Sequence, residues 1–219
     1  MQPVLNDAEL QRIREAVSAA ERRTSGEIVP YIVERSGSYE VAVWRGAAFS
    51  AIGAMALAVL VLQFYDGWAL GWLYTGWGMA LLASLAGVAG AFATAFIPPL
   101  RRLLAGADRL ATRTHRRAAL AFLDEEVFKT RDRTGILLFV SLFEHRIEVL
   151  GDAGINEQVS TDEWIGVVDT IRGGIQQGRL ADGLIEAIGM CGQLLEEKGV
   201  AIKHDDTDEL PDNVRLRED

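Results

Sequence analysis

The rhythm of hydrophobic and polar positions changes twice along this chain. In NDAELQRIREAVSAAERRTSG, Asn6 to Gly26, the apolar residues Leu10, Ile13, Val17 and Ala20 recur three or four positions apart, the period of a helix with one apolar stripe. Asn6 is placed as its N-cap with Glu9 completing a capping box, and Gly26 closes the end. EIVPYIVER, Glu27 to Arg35, is β-branched and aromatic at strand length. Pro30 has no amide to donate, which predicts an edge strand or a bulge there. A helix and one strand cannot bury a core, so this opening piece requires a continuation further along the chain.

Periodicity then disappears. From Gly46 to Leu100 the only side chain charged at neutral pH is Asp66. A helix of roughly 20 apolar residues crosses a hydrocarbon core about 30 Å thick, and the runs on both sides of Asp66 are long enough. The pattern predicts transmembrane helices over Trp44–Phe64 and Thr75–Ile97, the second stopped by Pro98 and Pro99. A buried core hairpin would need two helices apolar on every face inside a small domain, and the organised sequence ahead of the run argues against a signal peptide. Between the helices, DGWALGWLYTGWG carries Trp68, Trp72, Tyr74 and Trp77, amphipathic rings that favour the headgroup level, with Asp66 in the water beyond.

At the opposite ends of the two runs stand Trp44 and Arg45, then Arg101 and Arg102, followed by further arginines, whereas the connecting turn has no Lys or Arg. Positive charge accumulates on the cytoplasmic side, so the expected topology is a two-pass protein of a bacterial inner membrane with both termini cytoplasmic. Ser50, Ala54 and Ala58 on the first helix, and Ala83, Gly87, Ala91 and Ala95 on the second, form small-residue stripes that let helix backbones approach. Each stripe can serve the other, a second copy of the chain, or a membrane-protein partner. Neither run holds the intramembrane charge that marks an ion or substrate path, which argues against a transporter or channel.

Beyond the membrane run the alternation resumes. DRLATRTHRRAALAFLDEEVF reads as an amphipathic helix, TGILLFVSLF as a strand covered on both faces, and HRIEVLGDAG as an alternating strand joined to it by a short antiparallel turn. STDEWIGVVDTIRGGIQQG starts at Ser160 or Thr161 with Trp164, Ile165, Val168 and Ile171 as its stripe, and RLADGLIEAIGMCGQLLEEKG follows with Leu184, Ile188, Cys191 and Leu195 inward. The expected organisation is a layered α/β domain in two parts, 1–43 and 99–200, interrupted by a transmembrane hairpin, 44–98, and followed by an acidic tail, 201–219. Two antiparallel helices return the chain close to where it left, so the domain can close over the insertion.

Charge and chemistry narrow the functional classes. A formal net charge of −9 over 219 residues makes nucleic acid an improbable partner, because phosphate is repelled. The lone Cys191 cannot form an intramolecular disulfide, in keeping with a reducing compartment. Glu27, Asp132, Glu144 and Asp152, at strand ends, are the weak candidates for holding a cation such as calcium, as a metal-assisted phosphatase would require. None of the three histidines has helical ligand spacing, and no phosphate loop, nucleophile elbow or cysteine-phosphatase motif occurs. Asp205, Asp206, Asp208 and Glu209 in the tail lack the register of an EF-hand loop. The arginines from Arg101 to Arg117 either set topology or attract anionic lipid, at about 1 kcal/mol each.

TSGEIVPYIVERS at Thr24–Ser36, RTGILLFVSLFEHRIEVLGDAGI at Arg133–Ile155 and GGIQQGRLADGLIEAIGMCGQLL at Gly173–Leu195, in this order and spacing, resemble the TPM domain family, named after a thylakoid lumen protein, a photosystem II repair protein and a nematode receptor modulator. More closely, the chain resembles a bacterial branch in which a transmembrane hairpin splits the domain and a DELPD-like tail ends it. The resemblance implies an α/β/α sandwich. It also implies acid phosphatase activity and calcium binding, as suspected in some members, or a role in assembling or maintaining membrane proteins, as in others. Where many members carry acidic stretches around the long strand, this chain has RDRTG and SLFEHR, leaving only Asp132 and Glu144 there.

Overall fold

A computed structural model describes residues 5–64, 68–200 and 209–217. The chain divides into two units, residues 1–37 with 111–219, and residues 38–110.

The first unit is built on a four-stranded mixed sheet in the order β3-β2-β1-β4. Its strands are β1 (Glu27–Val33), β2 (Gly135–Ser141), β3 (Arg146–Gly151) and β4 (Arg215–Arg217). β1 and β2 run parallel in register from Glu27 beside Gly135 to Val33 beside Ser141. Parallel strands need a crossover, and here the crossover contains the whole second unit. β2 and β3 form the expected antiparallel hairpin, closed by a turn in which His145 takes a left-handed φ of 52°.

Every residue of β1 and β2 is buried, because both sheet faces are covered. On one face Ile28, Ile32, Ile136, Leu138 and Val140 pack with α1 (Asp7–Glu21), α7 (Ile165–Gln176) and α8 (Leu180–Glu197). On the other, Val29, Tyr31, Val33, Leu137 and Phe139 pack with Ala118 and Ala121 of α5 (Ala107–Asp124). Tyr31 and Phe139 stack at 5.6 Å across the two strands. The result is an α/β/α sandwich. Cys191 of α8 lies in the first of these cores, and burial pushes its thiol up to about 12.

Asn6 and Glu9 form the capping box expected of α1. Pro30 illustrates a subtler outcome. Amides alternate sides along a strand: Glu27 donates to Thr134 O on the β2 side, and Ile28 to the Glu21 carboxylate on the other. Pro30 falls on the Ile28 side, where β4 pairs only with Tyr31 to Val33. The proline therefore occupies the one stretch of an otherwise interior strand that has no strand beside it among the described residues.

α7 is rotated from its expected stripe. Trp164, Val167 and Ile171 face the core, whereas Ile165 is exposed. A 3-10 turn over Thr161–Trp164 starts the element and shifts its phase. Glu163 in this turn pairs with Lys198 and accepts from the Ser160 amide at 2.8 Å. The Lys198 bond, then the Ser160 amide and hydroxyl, hold its carboxyl down from 4.5 to about 2. The folded value lies below the unfolded one, so this stabilisation is complete above about pH 4.5 and is lost as pH falls toward 2. In urea titrations across that window, Glu163→Gln should show a flatter loss of stability than the native chain. Parallel acid limbs would show that the ionised Glu163 carboxylate contributes nothing.

The second unit pairs α2 (Glu40–Phe64) with α3 (Gly76–Phe96), followed by α4 (Pro98–Ala105). Thr75 caps α3, its hydroxyl accepting from Gly78 N at 3.1 Å. Pro98 and Pro99 end α3 but also open α4, since a proline at the first helical positions has no amide to leave unsatisfied.

Candidate functional site

α2 and α3 have 25 and 21 residues, about 37 and 31 Å at 1.5 Å per residue, and both are long and apolar enough to cross a membrane. In the most apolar stretch of each helix only 6% and 11% of the residues are buried. The core helix of a soluble protein would be mostly buried. Phe49, Ile52, Leu57, Leu60, Leu81, Leu85 and Phe92 instead point outward, more than half exposed.

The two helices meet through small side chains. Ala58 is buried, and Ser50 and Ala54 lie half-buried on the same side of α2. A Cβ built on Gly87 would stand 3.5 Å from Ala47 O and 3.6 Å from Ala51 Cβ. Ala83 and Ala91 are half-buried, but Ala95 is exposed, and the contact passes instead through buried Gly90 and Thr94. The reason is geometric. Four residues exceed one 3.6-residue turn by about 40°, so a strict every-fourth stripe rotates off the seam within three steps. Gly46 and Gly90 are the points of closest approach: a Cβ on Gly46 would sit 1.9 Å from Thr94 Oγ1, and one on Gly90 2.1 Å from Ser50 Oγ. Small residues four apart in Gly46-Ser50 and Gly90-Thr94 are the signal in the sequence for this seam.

The hairpin's ends differ. At one, a 3-10 helix over Trp68–Tyr74 turns the chain, with Leu73 buried and Trp72, Tyr74 and Trp77 exposed, Trp77 at 89%. Asp66 and the Trp68 side chain lie outside the described residues. At the other end stand exposed Trp44, exposed Arg45 and half-buried Arg101 and Arg102. Arg45 donates to Leu104 O at 2.8 Å and Ala105 O at 3.4 Å, a cation on the C-terminal carbonyls of α4.

In the first unit the four candidate carboxylates do not converge. Glu27, Asp132 and Asp152 lie where β1 and β2 begin and β3 ends, but Glu144 follows the far end of β2, roughly 20 Å away along a seven-residue strand. Glu144 is buried, accepting from Ser36 N at 2.8 Å and from the Ser141 hydroxyl. Buried Glu27 accepts from Glu209 N and Leu210 N, both at 3.3 Å. Asp152 caps the short α6 (Ala153–Asn156) through Ala153 N at 2.7 Å and pairs with Arg133 at 2.7 Å. Asp132, with Glu157, lines a polar pocket of about 250 Å³ that neither Glu27 nor Asp152 reaches. Among the described residues no three His, Cys, Asp or Glu side chains are close enough to hold a metal. The four candidate carboxylates Glu27, Asp132, Glu144 and Asp152 do not fit a calcium site, and no metal-dependent step follows from them. Asp205, Asp206 and Asp208 lie outside the described residues.

No protein-family model matches the sequence, and neither does any curated protein. Among solved structures the chain matches the NMR structure of BA42 protein from the psychrophilic bacterium Bizionia argentinensis with a TM-score of 0.60, over 99% of this chain and 98% of that one, at 20% identity. At that identity the likeness shows the fold, a mixed α/β architecture of the kind the resemblance implies.

Proposed function

We propose that the chain is a TPM-like module anchored in a bacterial inner membrane by a two-pass hairpin, both termini cytoplasmic, that acts as an interaction factor in the assembly or maintenance of membrane proteins. The observation that carries this reading is the outward face of α2 and α3: a continuous apolar surface, exposed along two helices of membrane-spanning length. Arginines at one end of the hairpin and aromatic rings without Lys or Arg at the other support the orientation. The phosphatase alternative needs convergent carboxylates, and Glu27, Glu144 and Asp152 are instead taken up by backbone amides, a serine hydroxyl and an arginine.

Crosslinking in native membranes, followed by identification of co-purifying proteins, tests the reading. Gly53 and Ala95 lie on outward faces, and a Cβ on Gly53 would meet nothing within 4 Å. Gly53→Leu with Ala95→Leu should therefore leave the hairpin intact and deplete a recovered membrane protein at least severalfold. Recovery of this chain alone would overturn the adaptor role, and recovery of the same proteins from native and substituted chains would exclude the outer face of the hairpin as the contact.

A further inference from the structure

α5 presents an outward stripe that the hairpin does not explain. Arg109, Arg113, Arg116, Leu120 and Leu123 are all exposed, the leucines at 53% and 57%. At 100° per residue these five positions fall within about 80° of one another, so one face carries three guanidinium groups and then two large apolar side chains. Asp108 and Asp124 lie only at the ends of the helix, and His115, to one side, faces Glu148 at 3.5 Å. Among the described residues Arg109, Arg113 and Arg116 form no ion pair. The apolar half continues into a groove of about 310 Å³ between Ala119, Phe122, Leu123 and Leu150, with almost no polar lining.

We infer that this face of α5 docks on the anionic surface of the bilayer that holds the hairpin, the arginines on lipid phosphates and Leu120 and Leu123 in the acyl boundary. The inference rests on the membrane reading above. Three arguments favour a lipid surface over a protein. Cations and large apolar residues on one helix face match an interface where anionic headgroups overlie hydrocarbon. The chain as a whole carries −9, so an anionic surface repels most of the protein and favours approach through a cationic face such as this one. Only the eight-residue α4 separates α5 from the end of α3 along the chain, so the basic stripe follows closely in sequence on a segment of membrane-spanning length, as juxtamembrane basic segments that bind anionic lipid do.

The test uses the full chain with Leu123→Cys carrying an environment-sensitive dye, native Cys191 being fully buried. It is reconstituted into phosphatidylcholine vesicles with and without about a third phosphatidylglycerol, and quenching by brominated lipid is read. Quenching is expected only with the anionic lipid, to fall at high salt, and to be lost in Arg109→Gln/Arg113→Gln/Arg116→Gln. At about fivefold per arginine, the triple change should lower the docked-to-free ratio on the order of 100-fold. Equal quenching in both lipids, or in the native and triple-substituted chains, would overturn the inference. Alkaline carbonate extraction separates the two readings. A chain that stays in the vesicles but shows no lipid-dependent quenching refutes α5 docking alone, and a chain that is extracted refutes the hairpin and the docking with it.

Discussion

Gly90→Leu is expected to separate α2 from α3. A Cβ at this position would stand 2.1 Å from Ser50 Oγ and 2.5 Å from Gly46 O. The second contact is backbone, so no rotamer change relieves it, and Gly90 O already accepts from the hydroxyl of Thr94, one turn further along α3, at 2.8 Å. Overpacking a soluble core costs about 1–3 kcal/mol, and a full leucine against backbone belongs at the upper end. Between membrane helices the effect is sharper, because lipid is as apolar as the seam and only close packing and hydrogen bonds favour contact. A direct readout exists. A Cβ on Gly87 lies 3.6 Å from Ala51 Cβ, within the roughly 3.5–4.5 Å range of a disulfide. Ala51→Cys with Gly87→Cys should therefore oxidise readily within one chain, and adding Gly90→Leu should reduce the yield about tenfold or more, with Gly90→Ala intermediate. Undiminished bonding in the Gly90→Leu chain would mean that the seam runs elsewhere.

Removing the chain from Glu209 onward should destabilise the α/β unit by about 3–5 kcal/mol, a large share of a typical domain's stability. The truncation exposes the site of Leu210, which is 8% exposed, where a leucine's burial is worth about 1.5–3 kcal/mol. It also removes the Arg215–Glu125 pair at 3.0 Å and the two amides that solvate buried Glu27. A charged group that loses its hydrogen bonds while buried costs about 1–3 kcal/mol more. With β4 gone, β1 presents unpaired backbone at Tyr31–Val33 and can recruit a strand from another chain. The expected outcome is a lower urea midpoint together with concentration-dependent self-association. An unchanged midpoint, with the chain still monomeric in detergent, would show that the tail only rests on the sheet.

The tail also shows why some of the fold was hard to read. KHDDTDELPDNVRLRED is polar and without periodicity, and its RLR has no apolar alternation, yet Arg215–Arg217 becomes a strand because an edge of β1 is vacant beyond Pro30. The carboxylates were equally ambiguous. Glu27 and Glu144 each stand next to a strand in sequence, but whether they share a site depends on which ends of β1 and β2 coincide. The parallel register places Glu27 beside Gly135 and leaves Glu144 beyond Ser141. Pro98 and Pro99 were legible as a stop to α3 and not as the start of α4, since the same residues serve both.

Sequence alone determined the features written within one segment. The two uncharged runs around Asp66, the apolar stripe of α1 with its Asn6 and Glu9 cap, the apolar run Ile136–Val140 of β2, and the inward set Leu184, Ile188, Cys191 and Leu195 of α8 each depend on length or period. Tertiary structure decided the features that require two segments to meet. These are the choice of Gly46, Gly90 and Thr94 as the seam, the capture of the tail by Glu27, the phase of α7 and the separation of the carboxylates. The physical reason is that hydrophobic periodicity reports which side of an element is buried, whereas rotation about a helix axis and strand register are set by the surface it meets.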